Sequence, residues 1–163
     1  MTRLPLSLPM AQAFYAKLKT QTRRVSPPRF AVGDVVAIAE PCRVTIGDAP
    51  SEEGEEWLVF CRYEADGARK SCDDKKEWLR CSSMDTVANN TLRAGRYMPG
   101  WAERSRIRIT EIRQEALGDI TEADAVREGF TSRQDFLAYF GTLHKGPIDL
   151  TLPVWVISFE VVT

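Results

Sequence analysis

Two periods of apolar spacing run through the 163-residue chain, and their order predicts its elements. Residues 3–9 alternate Leu with Pro or Ser, the pattern of a short edge strand, because proline cannot donate to a ladder. Met10, Phe14 and Leu18 then recur every four residues, which predicts a helix of two to three turns with those side chains on one face. Directly after it comes Lys19-Thr20-Gln21-Thr22-Arg23-Arg24, a fully polar stretch whose alternation fits a strand. Gly33-Asp34 reads as a turn launching Val35-Val36-Ala37-Ile38-Ala39-Glu40, a strand buried on both faces.

Residues 43–56 turn polar and acidic, and a solvated loop is expected there. Trp57, Val59, Cys61 and Tyr63 alternate up to an Asp66-Gly67 turn, which predicts a hairpin. Residues 70–100 show no period, so about 43–100 reads as an irregular insertion. Ile107 and Ile109 against Arg106, Arg108 and Thr110 make a half-buried strand with a basic outer face. Thr121-Glu122-Ala123-Asp124 has the form of a capping box whose helix ends at Gly129. Thr131-Ser132-Arg133-Gln134 repeats the signal, and Phe136, Leu137 and Phe140 supply an apolar face. Val154 to Val162 closes the chain as a strand with Trp155, Ile157, Phe159 and Val161 on one side. The expected class is α+β in a single domain, mostly antiparallel, with a strongly curved sheet or small mixed β-barrel flanked by short helices.

Composition changes this picture little. Lysine and arginine number 22 against 23 acidic residues, so any affinity for nucleic acid must come from local clustering. No segment is long and apolar enough to span a bilayer, and residues 1–15 lack a signal core, so a cytoplasmic protein without a membrane partner is expected. Cys42, Cys61, Cys72 and Cys81 form no C-x-x-C pair and His144 stands far from them, so no metal site is expected and the thiols read as reduced.

The chemistry concentrates in Lys19 to Arg24, where an amine, two hydroxyls, an amide and two guanidiniums adjoin. Such a cluster can hold a phosphate or an activated hydroxyl. A solvated strand has the same composition. Glu40, at the end of a buried strand, reads equally as a pocket carboxylate or as an arginine's partner. Trp101 can stack on a base, although core packing is its commoner role. Arg104, Arg106 and Arg108 can form a phosphate-binding face or an ordinary wet one.

Several segments together resemble an ASCH-domain protein of the phage and prophage type: Lys19–Arg24 after the first helix; Gly33-Asp34 opening a strand that ends in Glu40; Met98-Pro99-Gly100-Trp101-Ala102; Asp119 to Ala125 leading to Glu128-Gly129; and Pro153 to Ile157. The resemblance implies a PUA-like fold and a pocket for RNA or a nucleobase, with no cofactor. It also implies one of two activities: RNA binding, in some members with RNA cleavage, or hydrolysis of the amide of N4-acetylcytidine. Carried onto this chain, the catalytic set is Lys19, Thr22 and Glu128, with Thr20, Arg23, Arg24, Glu40, Trp101 and Arg104 as binding candidates. The family's Gly-x-Lys is Lys17-Leu18-Lys19 here, and its Arg-Glu-x-Trp is Ala39-Glu40-Pro41-Cys42. On the amidohydrolase reading Thr22 is nucleophile, Lys19 its base, Glu128 the group that holds the lysine or returns a proton, and Arg24 faces the oxyanion or a phosphate. In a regular strand residues 19 and 22 face opposite ways, so the junction before the strand must kink near Lys19.

Overall fold

The computed structural model describes residues 2–51, 54–72, 91–144 and 147–162. Its elements in chain order are β1 (Arg3–Pro5), α1 (Leu8–Tyr15), β2 (Gln21–Arg24), β3 (Val35–Ala39), β4 (Cys42–Ser51), β5 (Gly54–Tyr63), β6 (Arg69–Ser71), β7 (Leu92–Arg93), β8 (Arg106–Ala116), α2 (Glu122–Arg127), α3 (Arg133–Leu143) and β9 (Pro153–Val162). The class is α+β, with a five-stranded sheet of order β1-β3-β8-β9-β2 and a four-stranded sheet of order β6-β5-β4-β7. The chain divides into two compact units, one of Met1–Arg3, Gln12–Ala37 and Ser105–Thr163, the other of Leu4–Ala11 and Ile38–Arg104.

The first unit is built on the long β8–β9 ladder, which runs from Arg106↔Val162 to Ala116↔Pro153 with a bulge between Ile109 and Glu111. Ile107, Ile109, Val154, Val156, Ile157 and Phe159 are buried along it, while Val161 lies open at the far end. β2 adds to β9 with Thr22 opposite Ile157 and Arg24 opposite Trp155. The helices α2 and α3 cluster Ala125, Phe136 and Phe140 with Leu117, Ile120 and Val154.

Local chemistry explains where these helices stop. Thr121 and Asp124 form the expected box: the Asp124 amide donates to Thr121 Oγ1 (3.1 Å) and the Thr121 amide to Asp124 Oδ2 (3.3 Å). At the other end of α2, Gly129 takes φ 92°. A Cβ there would stand 2.6 Å from Ala13 Cβ, so only glycine lets this turn close against the end of α1. For α3 the cap is offset by one residue from the sequence expectation. Ser132 caps the helix and Asp135, not Gln134, takes the third position. The shorter carboxylate also accepts from the Ser132 and Thr131 hydroxyls.

The first helix ends earlier than the Met10–Phe14–Leu18 spacing predicts. Lys17 adopts φ 60°, its amide bonds Phe14 O (2.9 Å), and the Leu18 amide bonds Ala13 O (2.9 Å). These are the two bonds of a Schellman stop, with lysine at the position that glycine usually takes. Leu18, beyond the stop, is exposed. Lysine thus makes a left-handed turn that glycine makes without strain, at some steric cost.

No closed barrel forms among the described strands, which corrects that expectation. Each sheet is open, with β1 and β2 as the outer strands of one, β6 and β7 of the other. β2 is only four residues long, and the amide of the residue before it turns to a helix: the Thr20 amide bonds Arg127 O at 2.8 Å, while Thr20 O still bonds β9.

In the second unit, residues 43–51 and 54–56 belong to regular antiparallel strands, not to a solvated loop: β4 and β5 pair from Cys42↔Tyr63 to Ser51↔Gly54. Acidic composition concealed a strand that backbone pairing sustains. The Asp66-Gly67 turn leads into β6, as the sequence indicated. One face of this sheet carries the buried Cys42, Val44, Val59, Cys61, Tyr63 and Cys72, closed over by Met98, Ala102 and half-buried Trp101. Cys42, Cys61 and Cys72 are free thiols, and Cys81 lies outside the described residues. No helix among the described residues is long and apolar enough to cross a membrane.

Two substitutions probe the turns that set the site. Lys17→Gly should raise unfolding free energy by about 0.5–1 kcal/mol, because relief of the left-handed strain exceeds the added chain entropy. Gly129→Ala should lower it by about 3 kcal/mol through combined strain and overlap. Urea denaturation of the two variants beside the parent measures both; a neutral Gly129→Ala would contradict the close approach.

Candidate functional site

Between the end of α1 and the start of β2 the chain carries Lys19 into the interior. Its backbone is fixed on both sides: the Thr20 amide donates to Arg127 O (2.8 Å) and Thr20 O accepts from the Phe159 amide (2.9 Å). β2 is thereby anchored to the last turn of α2 and to β9 at one residue. The chain does turn between Lys17 and Thr20, but the turn carries the Lys19 amine to Glu128 and not to Thr22.

Lys19 is 2% exposed, and its Nζ donates to Glu128 Oε2 at 2.7 Å and to the Glu128 carbonyl at 3.0 Å. Glu128 is the C-terminal cap of α2, so the ammonium also satisfies a helix-end carbonyl where positive charge is favoured. The carboxylate's other oxygen, Oε1, accepts from Arg23 Nη1 at 3.1 Å. Arg23 in turn is held by Glu115 Oε1 through Nε (2.9 Å) and Nη2 (2.7 Å), approaches Asp124 Oδ2 (3.4 Å), and donates Nη1 to Gln21 Oε1 (2.8 Å). Gln21 Nε2 donates to Ser158 (3.3 Å), and the Arg23 guanidinium lies over the Phe136 ring. A chain of alternating charges thus runs from Lys19 through Glu128 and Arg23 to Glu115, nearly all of it out of water.

Burial lowers the Lys19 pKa from 10.5; the Glu128 carboxylate opposes that by charge and hydrogen bond, and Arg24 and Arg23 reinforce it. Burial also lowers Arg24, which lies within electrostatic reach of Glu128 and Tyr139. For Asp124, burial pulls upward, but the Thr121 hydroxyl and amide, with Arg23 and Arg113, hold the carboxyl below its usual value. An amine with weakened proton affinity beside a fixed carboxylate is equipped to accept a proton from a nucleophile and to pass it on.

Lys19 and Glu128, 109 positions apart, meet directly. Thr22 is buried on β2, and alternation turns it to the face opposite Gln21 and Arg23. Both hydrogen bonds of the Lys19 amine go to Glu128 and neither goes to the Thr22 hydroxyl. Thr20 has an exposed side chain and acts through its backbone. Arg23 is committed to carboxylates, and Arg24 is half-buried near the pair.

Glu40, Trp101 and Arg104 belong to the second unit. There the Arg104 fork grips buried Glu40 (both bonds 2.8 Å), bonds Asp66 (2.8 and 3.1 Å), and stacks 3.9 Å above the Tyr63 ring. Arg104 is thus engaged as a clamp, Glu40 is its carboxylate, and Trp101 packs in the core. Sequence reasoning missed Gln21, Glu115 and the network role of Asp124. The visible signal was the shared face of Gln21 and Arg23, together with the charged stripe Glu111, Arg113, Glu115 on β8. Among the described residues no three His, Cys, Asp or Glu side chains gather as metal ligands would.

No protein-family model matches the chain, and no curated protein or solved structure matches it either.

The Lys19 geometry has a pH signature. Its folded pKa lies below the unfolded 10.5, so between those values the unfolded chain binds more protons and stability rises with pH. The contribution is complete above 10.5 and falls away as pH drops through the folded value. Unfolding free energies from pH 7 upward should climb more steeply in the parent than in Lys19→Met; parallel curves would show an unperturbed lysine.

Proposed function

We propose that this chain is a divergent ASCH-type, PUA-like domain that recognises a modified nucleoside and hydrolyses its exocyclic amide, as in an N4-acylated cytidine. The observation that carries this reading is the desolvated Lys19 amine held on the Glu128 carboxylate beside Arg24. In the reaction Thr22 Oγ1 attacks the acyl carbon and loses its proton to neutral Lys19. The C–N bond breaks as that proton passes, by way of Glu128, to the departing amino group. Arg24 faces the oxyanion. Water then cleaves the acyl-threonine ester and releases the carboxylic acid. In the free protein the amine is turned to Glu128 and Thr22 lies on the other face of β2, so this reading requires the Lys17–Thr20 junction to rearrange when substrate binds.

A second reading, a non-catalytic RNA-binding module, has its own support. Arg43, Arg62 and Arg69 stand opposite one another across β4, β5 and β6, with Phe60 in the neighbouring register. Glu64 shares its carboxylate between Arg43 (2.9 Å) and Arg62 (3.5 Å). Guanidiniums beside an aromatic ring suit a phosphodiester strand with a stacked base. The outer face of β8 favours RNA less, because Arg108 pairs with Glu160, and Arg113 pairs with Glu111 and Glu115.

Incubation of the purified protein with N4-acetylcytidine separates the two. Release of acetate, reduced at least a hundredfold in Lys19→Ala and in Thr22→Ala, is expected on the hydrolase reading. No acetate, together with salt-sensitive retention of RNA whose log–log salt slope falls by about one in Arg62→Ala, would replace it with the binding module.

A further inference from the structure

We infer that Arg23 is a positioning residue that sets how tightly Lys19 holds its proton, acting through the Glu128 oxygen that Lys19 does not use, with Glu115 as the counterweight. Lys19 and Arg23 share one carboxylate. Lys19 takes Oε2 and Arg23 takes Oε1, at 2.7 and 3.1 Å. A carboxylate bonded by two cations gives less of its charge to each. If Lys19 gives up its proton, Arg23 still neutralises Glu128, so no isolated buried carboxylate remains. Without Arg23, Glu128 would have to keep Lys19 charged or take up a proton itself.

Arg23 is itself restrained. Glu115 Oε1 accepts two of its donors; the Arg23 side chain is out of water and that of Glu115 is 14% exposed. Glu115 thereby draws the guanidinium's charge away from Glu128. The other charged or titratable groups around the pair are Arg24 on β2, Arg113 on β8, Asp124 and Arg127 on α2, and Tyr139 on α3. Arg127 is mostly exposed, and Arg113 is divided among Glu111, Glu115 and Asp124, so neither substitutes for Arg23 at Glu128 Oε1. Arg23 is among the groups that weaken the Lys19 proton affinity.

The consequence is a pair of opposite effects, which loss of structure alone would not produce. Removal of Arg23 leaves Glu128 to Lys19 and raises the lysine's proton affinity. Removal of the Glu115 charge frees Arg23 to act more fully on Glu128 and lowers it. Only the catalytic consequence rests on the hydrolase reading; there, the acid limb of the kcat/KM profile moves with Lys19.

The test is a titration of the Lys19 side chain, followed by NMR of the full chain labelled with 13C at lysine Cε and assigned with Lys19→Met. Arg23→Gln should shift the midpoint upward by about one pH unit, Glu115→Gln should shift it downward, and Arg23→Lys should stay near the parent. Unchanged midpoints, or shifts of one sign in both variants, would overturn the inference. Should Arg23→Gln fail to fold, Glu115→Gln and Arg23→Lys decide alone, the former by its downward shift and the latter by near-identity to the parent. Opposite shifts in a protein that releases no acetate would leave this coupling intact and remove only the hydrolase.

Discussion

A lysine ammonium taken out of water must be met by a carboxylate, and much of the first unit serves to bring that carboxylate to Lys19. The pair joins the entry of β2 to the end of α2, two points far apart in the chain. Three local devices set the distance. Lys17 stops α1 in a left-handed turn, Thr20 binds the last turn of α2 and β9 by its backbone, and Gly129 lets that turn close on Ala13. None of these involves a charged side-chain contact, yet each fixes where the charges lie.

Stability alone is a poor reason for such an arrangement. Dehydrating two ions costs several kcal/mol each, and a well-packed apolar pair often does as well. Here the cost extends over Lys19, Arg23, Glu128 and, less deeply, Asp124 and Glu115. Excellent geometry offsets part of it: short bonds, a helix-end carbonyl as additional acceptor, and the Gln21 amide filling a remaining donor site. What the network supplies beyond this is a lysine of weakened proton affinity next to a fixed acceptor. That combination is characteristic of sites that move protons. The clamp in the second unit makes a useful contrast: Arg104 is stacked, doubly forked and partly solvated, a pattern sufficient for holding a loop.

Much of this was legible along the chain because local rules governed it. The capping box at Thr121, the stop at Gly129, the strand of Ile107 and Ile109 and the closing strand depend on near neighbours, and the sequence shows them. The Lys19–Glu128 encounter was reached through family resemblance; periodicity alone gives no register between a strand entry and a distant helix end. Other features were hidden for physical reasons. The hairpin of β4 and β5 is held by backbone pairing that acidic residues disguise. Lys17 is a poor statistical choice for a left-handed turn, so Leu18 looked like a continuation of the helix face. Arg23 and Glu115 looked like ordinary solvated charges, because their burial depends on α2 and α3 covering the β2 side of the sheet.

The central claim is that the Lys19 amine and the Glu128 carboxylate meet in a water-free interior and depend on each other there. A double-mutant cycle on unfolding free energy, with Lys19→Met, Glu128→Gln and the double variant, tests it most directly. Each single change should cost about 3 kcal/mol, and the double change at least about 2 kcal/mol less than their sum, since removing both charges leaves neither unpaired. Single effects that add within about 0.5 kcal/mol would mean that the two groups do not share a buried contact, and would contradict it.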